Sequence, residues 1–273
     1  MTVLSPMDQT PAVITRALTR RFDHLIAVDR VDLRIDRGAF HGLLGSNGAG
    51  KTTLIRMLTT LLPPSSGDAQ VAGFDVVGEP REVRRRLGYV PQMLSADSGL
   101  TGRENLMLSA QLYAIPHERR EQEVAEGLEF MGLTASADVL VRTYSGGMIR
   151  RLEIAQAMLH HPAVLLLDEP TVGLDPRAKH VVWDRLRELR SHFGTSILMT
   201  THDMEEAGAL CQVISIMHNG QIAASGSPEA LRSGLGREAT LDDVFVRYTG
   251  GSIEEGGTYR DAARARAAVR RLE

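Results

Sequence analysis

The sequence predicts an α/β fold on the basis of three observations. An apolar run, Phe40–Leu44, leads through a glycine-rich loop into a helical run at residues 54–62. Short strand-like runs and helical runs alternate again between residues 149 and 225. The block from 100 to 143 breaks this alternation, because it is rich in Glu, Ala, Leu and Arg at helical spacing. Alternating elements are typical of a parallel sheet covered by helices, so we expect the block to be an inserted helical subdomain.

Each element follows from its local pattern. Residues 13–35 hold short apolar and β-branched runs broken by two polar pairs, which predicts a small antiparallel β region. Asn219-Gly220 predicts a hairpin turn. Further strands are predicted at residues 40–44, 71–77, 87–90, 164–167, 196–200, 213–218 and 221–225. Helices are predicted at residues 54–62, 81–86, 101–113, 117–131, 149–159, 177–193 and 204–210.

These elements divide the chain into two parts. We expect one large domain over residues 13–249, with the helical insert at about 97–143. Residues 250–273 are expected to form a C-terminal extension, in which glycine-rich linkers precede an Ala/Arg helix at 261–272. Charge runs are usually exposed, which favours a solvated terminal helix. A docking contact with a partner or with acidic lipid is the alternative.

Composition argues against several kinds of partner and compartment. The formal net charge is -3 and the pI is about 6.3, which provides no general attraction for nucleic acid, so we expect no nucleic-acid partner. The single cysteine, Cys211, indicates a reducing compartment. No apolar stretch approaches the roughly 20 residues that span a bilayer, so we expect any membrane role to come through a partner.

The glycine-rich loop fits the phosphate-binding pattern G-x-x-x-x-G-K-[ST] and predicts a nucleoside triphosphate ligand. Its glycines let the backbone wrap around a polyphosphate at the positive end of the following helix. Lys51 is expected between the β- and γ-phosphates, and the Thr52 hydroxyl is expected to ligate Mg²⁺. The loop comprises Gly45, Ser46, Asn47, Gly48, Ala49, Gly50, Lys51, Thr52 and Thr53. The expected fold is therefore a P-loop NTPase core with a flanking antiparallel β subdomain and an inserted α-helical subdomain.

A second motif places two carboxylates at the end of a buried strand. Four apolar residues, 164–167, run directly into Asp168 and Glu169. Ligands in open α/β sheets bind at the carboxyl ends of the strands. We therefore expect Asp168 to hold Mg²⁺, through water, and Glu169 to accept a proton from attacking water.

A third motif, Ser145-Gly146-Gly147, lies at the start of a basic helix and predicts another anion-binding nest. One ATP molecule does not need two such nests from one chain. We interpret the second nest as serving a nucleotide held by a second copy, although an ordinary helix start is an equally good interpretation of this segment alone.

The order of these motifs, with Gln92 and His202 in their places, resembles the ATPase subunit of ABC transporters over roughly residues 13–230. The resemblance implies that Phe22 stacks on adenine and that Gln92 touches Mg²⁺ and senses a membrane partner. It also implies that His202 contacts the γ-phosphate and that Asp175 belongs to a loop crossing a dimer interface. Ser145, Gly146 and Gly147 are then the signature that clamps the nucleotide of the opposite subunit. Taken singly, Phe22 is better interpreted as a core aromatic, Gln92 as a turn residue and His202 as a loop or cap residue. Their occurrence in the expected order favours the functional interpretation.

The signature departs from the usual family pattern at both ends. Tyr144 stands where leucine is usual, and Met148 stands where glutamine is usual. A thioether is only a weak acceptor, so we expect fewer sugar contacts from the opposite subunit. These residues, with Arg150 and Arg151 after them, resemble the drug-export branch typified by daunorubicin-resistance ATPases.

The resemblance implies an enzyme that hydrolyses ATP with Mg²⁺ as a homodimer and powers export through an integral membrane permease subunit. The expected location is cytoplasmic, on the cytoplasmic face of the cell membrane. His202 competes with Glu169 for the role of principal base. Two other classes stay open, a soluble non-transport ABC ATPase and a regulatory module that binds ATP without turnover.

Overall fold

A computed structural model describes residues 10–236 and 238–250. The predicted C-terminal helix therefore lies outside the described residues. The strands of the described part are β1 (Val13–Phe22), β2 (Leu25–Ile35), β3 (Phe40–Leu44), β4 (Ser66–Val71), β5 (Phe74–Asp75), β6 (Leu87–Val90), β7 (Val164–Asp168), β8 (Ser196–Thr201), β9 (Val213–His218) and β10 (Gln221–Gly226). The helices are α1 (Lys51–Leu58), α2 (Pro80–Arg85), α3 (Gly102–Leu112), α4 (His117–Phe130), α5 (Gly146–Met158), α6 (Pro176–Phe193), α7 (Met204–Leu210), α8 (Pro228–Ser233) and α9 (Leu241–Thr249).

The larger sheet has the strand order β10-β9-β3-β8-β7-β6. Strands β9, β3, β8, β7 and β6 run parallel, and β10 returns antiparallel to β9. Every residue of β3, β7 and β8 is buried, which explains their nearly unbroken apolar sequences. The carboxyl ends of β3, β8, β7 and β6 are therefore neighbours along one edge of the sheet.

The smaller sheet is antiparallel, with the order β2-β1-β4-β5. Its buried side chains share one hydrophobic core with α1 and with Leu43 of β3. This packing fixes the β subdomain against the helix that follows the glycine-rich loop.

The helical block lies on a second core, in which α3, α4 and α5 pack with α6. An isolated bridge between Thr101 and Leu140 joins the two ends of the block. Thr101 and Glu104 form a reciprocal capping box that starts α3, because each side chain bonds to a backbone N–H at the other residue. Among the described residues, no helix is both long enough and apolar enough to cross a membrane.

Several predicted elements differ from the structure. Helix α1 begins at Lys51 and not at residue 54, because left-handed Gly50 ends the loop there. The strand predicted at 71–77 is wrong. Residues 66–71 form the strand, and Ala72 and Gly73, both with positive φ, turn the chain into β5. Helices α8 and α9 were not predicted. The predicted hairpin at Asn219-Gly220 is present, with β10 paired to β9.

Candidate functional site

The glycine-rich loop is held in a conformation that requires glycine. Gly48 and Gly50 have φ values of 80° and 106°, in the left-handed region. An added Cβ at Gly50 would collide with the Ala27 carbonyl oxygen, and one at Gly45 would lie 2.7 Å from the Met217 carbonyl oxygen. The loop is therefore enclosed by β2 and β9, which fix its shape before any ligand binds.

Lys51 folds back over this loop. Its Nζ donates hydrogen bonds to the carbonyl oxygens of Gly45 at 2.8 Å and Ser46 at 3.3 Å, and the side chain is buried. The same Nζ lies 3.2 Å from Glu169 Oε1. Thr52 and Thr53 occupy the first turn of α1 and are half-buried. The loop thus surrounds a cation, beside two hydroxyl groups, at the start of a helix.

Asp168 and Glu169 are oriented by Thr200 on the neighbouring strand β8. Thr200 Oγ1 donates to Asp168 Oδ1 at 2.6 Å and accepts from the Glu169 backbone N at 2.9 Å. Glu169 has a φ of 49°, so the chain turns sharply there and the two carboxylates point differently. Sequence reasoning missed Thr200, whose only signal is its place at the end of the strand predicted at residues 196–200.

The Glu169 carboxylate is the point at which the predicted residues meet. Gln92 Nε2 donates to Glu169 Oε2 at 3.3 Å, and His202 Nδ1 lies 3.3 Å from the same oxygen. The hydrogen bond from His202, aided by Lys51, lowers the pKa of Glu169 against the opposing effect of burial. The reciprocal bond raises the pKa of His202. The arrangement favours an ionised carboxylate that can accept a proton.

The second nest lies at the start of α5. Ser145 is the N-cap, and its Oγ accepts from Met148 N at 3.3 Å. An added Cβ at Gly147 would lie 2.7 Å from the Ala178 Cβ, so a side chain does not fit there. Within residues 10–236 and 238–250, Ser145 makes no hydrogen bond to Lys51 or Glu169.

Asp175 and Phe22 also lie apart from this cluster. Asp175 is the N-cap of α6 and accepts from Ala178 N at 2.9 Å. Phe22 ends β1 with 39% of its surface exposed, and the Arg20 guanidinium lies 4.6 Å from its ring centre. The structure therefore brings Lys51, Gln92, Glu169 and His202 together, with Asp168 adjacent and with Gly45 and Ser46 bonded to Lys51. Within the described residues, Phe22, Ser145 and Asp175 make no hydrogen bond to this group.

A buried ion pair on α5 holds the Gln92 loop and was also missed. Arg150 donates to the carbonyl oxygens of Pro91 and Gln92, each at 2.7 Å. Its Nη1 lies 3.0 Å from Glu153 Oε2, but this contact lacks hydrogen-bond geometry and acts through charge. The other Glu153 oxygen accepts from the backbone N of Ser95 and Ala96. The sequence showed a basic helix start without indicating which arginine turns inward.

Comparisons with known proteins give one consistent result. The family model described as ABC transporter matches residues 28–172, which include the glycine-rich loop, Gln92, Ser145 and Glu169. The daunorubicin/doxorubicin resistance ATP-binding protein DrrA of Streptomyces peucetius is 44% identical over 83% of this chain and 68% of its own. The Nod factor export ATP-binding protein I of Ralstonia nicotianae is 41% identical over 82% of this chain and 70% of its own.

Solved structures agree with these relatives. The ATP-binding subunit of an ABC transporter superposes with a TM-score of 0.77 at 30% identity, covering 87% of this chain and 99% of that one. The ATP-binding cassette MJ0796, a dimer in a post-hydrolysis state with ADP and Pi, superposes with a TM-score of 0.70 at 25% identity, covering 79% of this chain and 98% of that one. The chain therefore belongs to the ABC transporter family, in which it is an ATP-binding subunit and an ATPase.

Proposed function

We propose that this chain hydrolyses ATP to power the export of a drug-like or other small hydrophobic substrate through a separate membrane subunit. The observation that carries the proposal is the convergence of Lys51, Gln92 and His202 on the Glu169 carboxylate beside the glycine-rich loop. The substrate class is supported by relatives named for daunorubicin resistance and for Nod factor export.

In this proposal the loop amides and Lys51 neutralise the triphosphate, and Glu169 takes the proton of the attacking water. The lowered pKa of Glu169 keeps its carboxylate ionised for that step. His202, whose pKa is raised, offers a positive charge to the γ-phosphate. Gln92 transmits changes at the nucleotide site to the loop that follows it. Phe22, with its exposed ring, stacks on the adenine.

The residues present fit a magnesium ion. The Thr52 hydroxyl, the Gln92 amide and the Asp168 carboxylate offer hard oxygen donors, and the nucleotide phosphates complete the usual set. When bound, the ion neutralises charge on the phosphates. Coordination shared with the nucleotide does not require a dense cluster of carboxylates on the protein. In the part of the chain that the structure describes, no group of three or more His, Cys, Asp or Glu residues is placed to hold a metal.

A second copy of the chain supplies the other half of the site. Within the described residues, Ser145 is not hydrogen-bonded to this chain's own cluster, and a helix N-terminus with two glycines suits a phosphate. We infer that Ser145, Gly146 and Gly147 bind the γ-phosphate held by the partner copy, and that Asp175 lies at the same interface. The dimeric arrangement of the MJ0796 cassette supports this pairing.

An integral membrane permease is the other proposed partner. The loop after Gln92 exposes Met93 and Leu94 at 83% and 50% of their surfaces, and Leu112 at the end of α3 is 78% exposed. Asp97 N donates to Asn105 Oδ1 at 2.9 Å, which ties this loop to α3. Apolar side chains displayed beside the Gln92 loop suit a protein contact that senses the site. The proposed location is the cytoplasmic face of the cell membrane.

Glu169→Gln tests the assignment of the base. The amide keeps the size of the side chain but cannot take a proton, so turnover should fall by at least about a hundredfold while ATP binding persists. ATP turnover, fluorescent-ATP binding and ATP-induced dimerisation should be measured on the same preparation. Glu188→Gln, which changes an exposed residue of α6, serves as the matched control. Turnover at the wild-type rate by the Glu169→Gln protein would contradict the assignment.

Capture from detergent-solubilised membranes tests the transport role. The tagged Glu169→Gln chain with ATP should retain a polytopic membrane protein, and Met93→Asp should weaken that capture without lowering ATP binding. When the captured protein is reconstituted with the wild-type chain in vesicles, it should move a hydrophobic amine such as daunorubicin in an ATP-dependent manner. Capture of soluble proteins alone would favour a non-transport ABC ATPase.

A further inference from the structure

The start of helix α6 contacts the second nest directly. An added Cβ at Gly146 would lie 3.2 Å from Leu174 Cδ2, and one at Gly147 would lie only 2.7 Å from Ala178 Cβ. Leu174 precedes the N-cap Asp175, and Ala178 lies in the first turn of α6. Because the two glycines pack tightly against the side chains of Leu174 and Ala178, we expect a shift of the nest to move the start of α6.

The next residue of α6 reaches the other half-site. Lys179 Nζ forms an ion pair with Asp203 Oδ2 and lies 4.9 Å from the centre of the Trp183 ring. Asp203 directly follows His202 and is the N-cap of α7, accepting from Glu206 N at 3.0 Å. The ion pair therefore holds the backbone that carries the histidine.

A second connection runs beside the first. Buried Glu206 accepts hydrogen bonds from Trp183 Nε1 at 3.0 Å and from Thr171 Oγ1 at 2.6 Å. Thr171 lies two residues after Glu169. Residues of this network line one cavity of about 190 Å³ together with His202 and Glu169, so the histidine segment borders open space.

We propose that Lys179 is a positioning residue that couples the Ser145-Gly146-Gly147 nest to His202, so that engagement of the nest sets the histidine against Glu169. The inference rests on the proposed pairing of two copies. Lys179 acts through Asp203, because its ion pair is with the residue that caps α7 and directly follows His202. In each chain, the nest then binds the nucleotide of the partner copy, and Lys179 links that nest to the hydrolytic residues of the chain's own site.

Lys179→Met tests the coupling, because methionine keeps the apolar stem and removes the ammonium. We expect kcat to fall between about tenfold and a hundredfold, the range that misplacement of a positioned group produces. The Kd for ATP, measured in a Glu169→Gln background, should stay within about twofold, because the groups that hold the phosphates are untouched. Lys179→Arg keeps a cation and should retain most of the kcat.

The single tryptophan of the chain, Trp183, reports on the same junction. We expect ATP to shift the Trp183 fluorescence of the Glu169→Gln protein. In the double variant Glu169→Gln/Lys179→Met, ATP should bind without this shift. Arg185→Met, which breaks an exposed ion pair with Glu188 on the same helix, is the matched control and should leave both kcat and the shift unchanged.

A purely structural role has a different outcome. The double variant Lys179→Met/Asp203→Asn removes both charges and keeps a good helix cap. Recovery of the wild-type kcat by this variant would overturn the proposal, since the defect would then be only an unpaired carboxylate. If the Lys179→Met protein dimerised with ATP and kept the wild-type kcat, the coupling role of Lys179 would also be overturned. The proposed function would be unaffected by that result. Failure of the Glu169→Gln protein to dimerise would remove the pairing itself, and this inference with it.

Discussion

Tyr144, which stands where the related signature has leucine, has a local structural reason. Its ring is buried, and its hydroxyl donates to the Ser136 carbonyl oxygen at 2.5 Å. That hydroxyl also lies against Gly102, where an added Cβ would collide with it. A tyrosine at 144 therefore requires glycine at 102, the first residue of α3.

Gly102→Ala should destabilise the chain by about 1–3 kcal/mol, the usual cost of overpacking. Tyr144 is buried and tethered, so it cannot swing aside without giving up its hydrogen bond to Ser136. Leucine lacks the hydroxyl, so Tyr144→Leu in the Gly102→Ala background should restore part of the loss. The free energy of unfolding in urea measures both effects.

The control is the same substitution at Gly234, which has helical φ and ψ of -63° and -17°. An added Cβ there meets its nearest neighbour, the Ala230 carbonyl oxygen, at 3.6 Å, which is ordinary contact. Gly234→Ala should be neutral or slightly stabilising. Equal stability of the Gly102 and Gly234 variants would contradict the packing argument.

The side chains that meet at Glu169 were among the predicted site residues, but the residues that support them were not. Glu169 and His202 each follow a strand directly, and Lys51 follows β3 through the glycine-rich loop, so their place at the carboxyl edge is implied by local sequence. Thr200 and Arg150 act through neighbours far along the chain. Their roles depend on strand order and on which side of α5 faces the sheet, which one sequence does not specify.

At the scale of elements, the β9–β10 hairpin braces the glycine-rich loop. Asn219 and Gly220 have φ values of 47° and 80°, as a two-residue turn of this kind requires. Gly220 N donates to the Ala49 carbonyl oxygen at 3.1 Å, and Gly220 O accepts from Asp29 N at 2.8 Å. The turn thus joins the loop to strand β2 through two backbone hydrogen bonds.

Gly220→Ala should weaken ATP binding about tenfold. A side chain is strained at this positive φ, and its Cβ would lie 3.1 Å from the Ala27 carbonyl oxygen, so the turn must shift and release the loop. Titration with a fluorescent ATP analogue measures the effect. Asn219→Gly keeps the turn conformation and should bind ATP normally. Unaltered ATP affinity in Gly220→Ala would show that the brace is dispensable.

Elements with strong local patterns were predicted best. The predicted bounds of β3, β6, α7 and β9 agree with the structure, because apolar runs end at clear turn or cap residues. Strand β4 was misplaced because its sequence, Ser66–Val71, is mostly polar and exposed at its start. It is a strand because it pairs with β1, and that long-range pairing leaves no local pattern.

At the scale of the whole molecule, the strand order brings together the residues that we propose hydrolyse ATP. Strands β3, β8, β7 and β6 are consecutive neighbours, and Lys51, His202, Glu169 and Gln92 respectively follow them. Four parallel strands therefore deliver one reactive side chain each to the same edge. The sequence indicated the parallel sheet but not the insertion of β8 between β3 and β7. The nest at Ser145 lies at the start of α5, so it is not at the end of any of these four strands.

Separation of the two half-sites makes complementation between inactive chains possible. Glu169→Gln leaves the nest intact, and Ser145→Arg, at an exposed helix cap, leaves the carboxylate intact. Mixed at equal amounts with free exchange, about half of the dimers are mixed, and each mixed dimer has one complete site. The mixture should therefore reach about a quarter of the wild-type turnover per chain, although each variant alone is inactive. The double variant, mixed with either single variant, contains no complete site and should stay inactive. If the two single variants together hydrolyse no more ATP than either alone, a site built from two chains is contradicted.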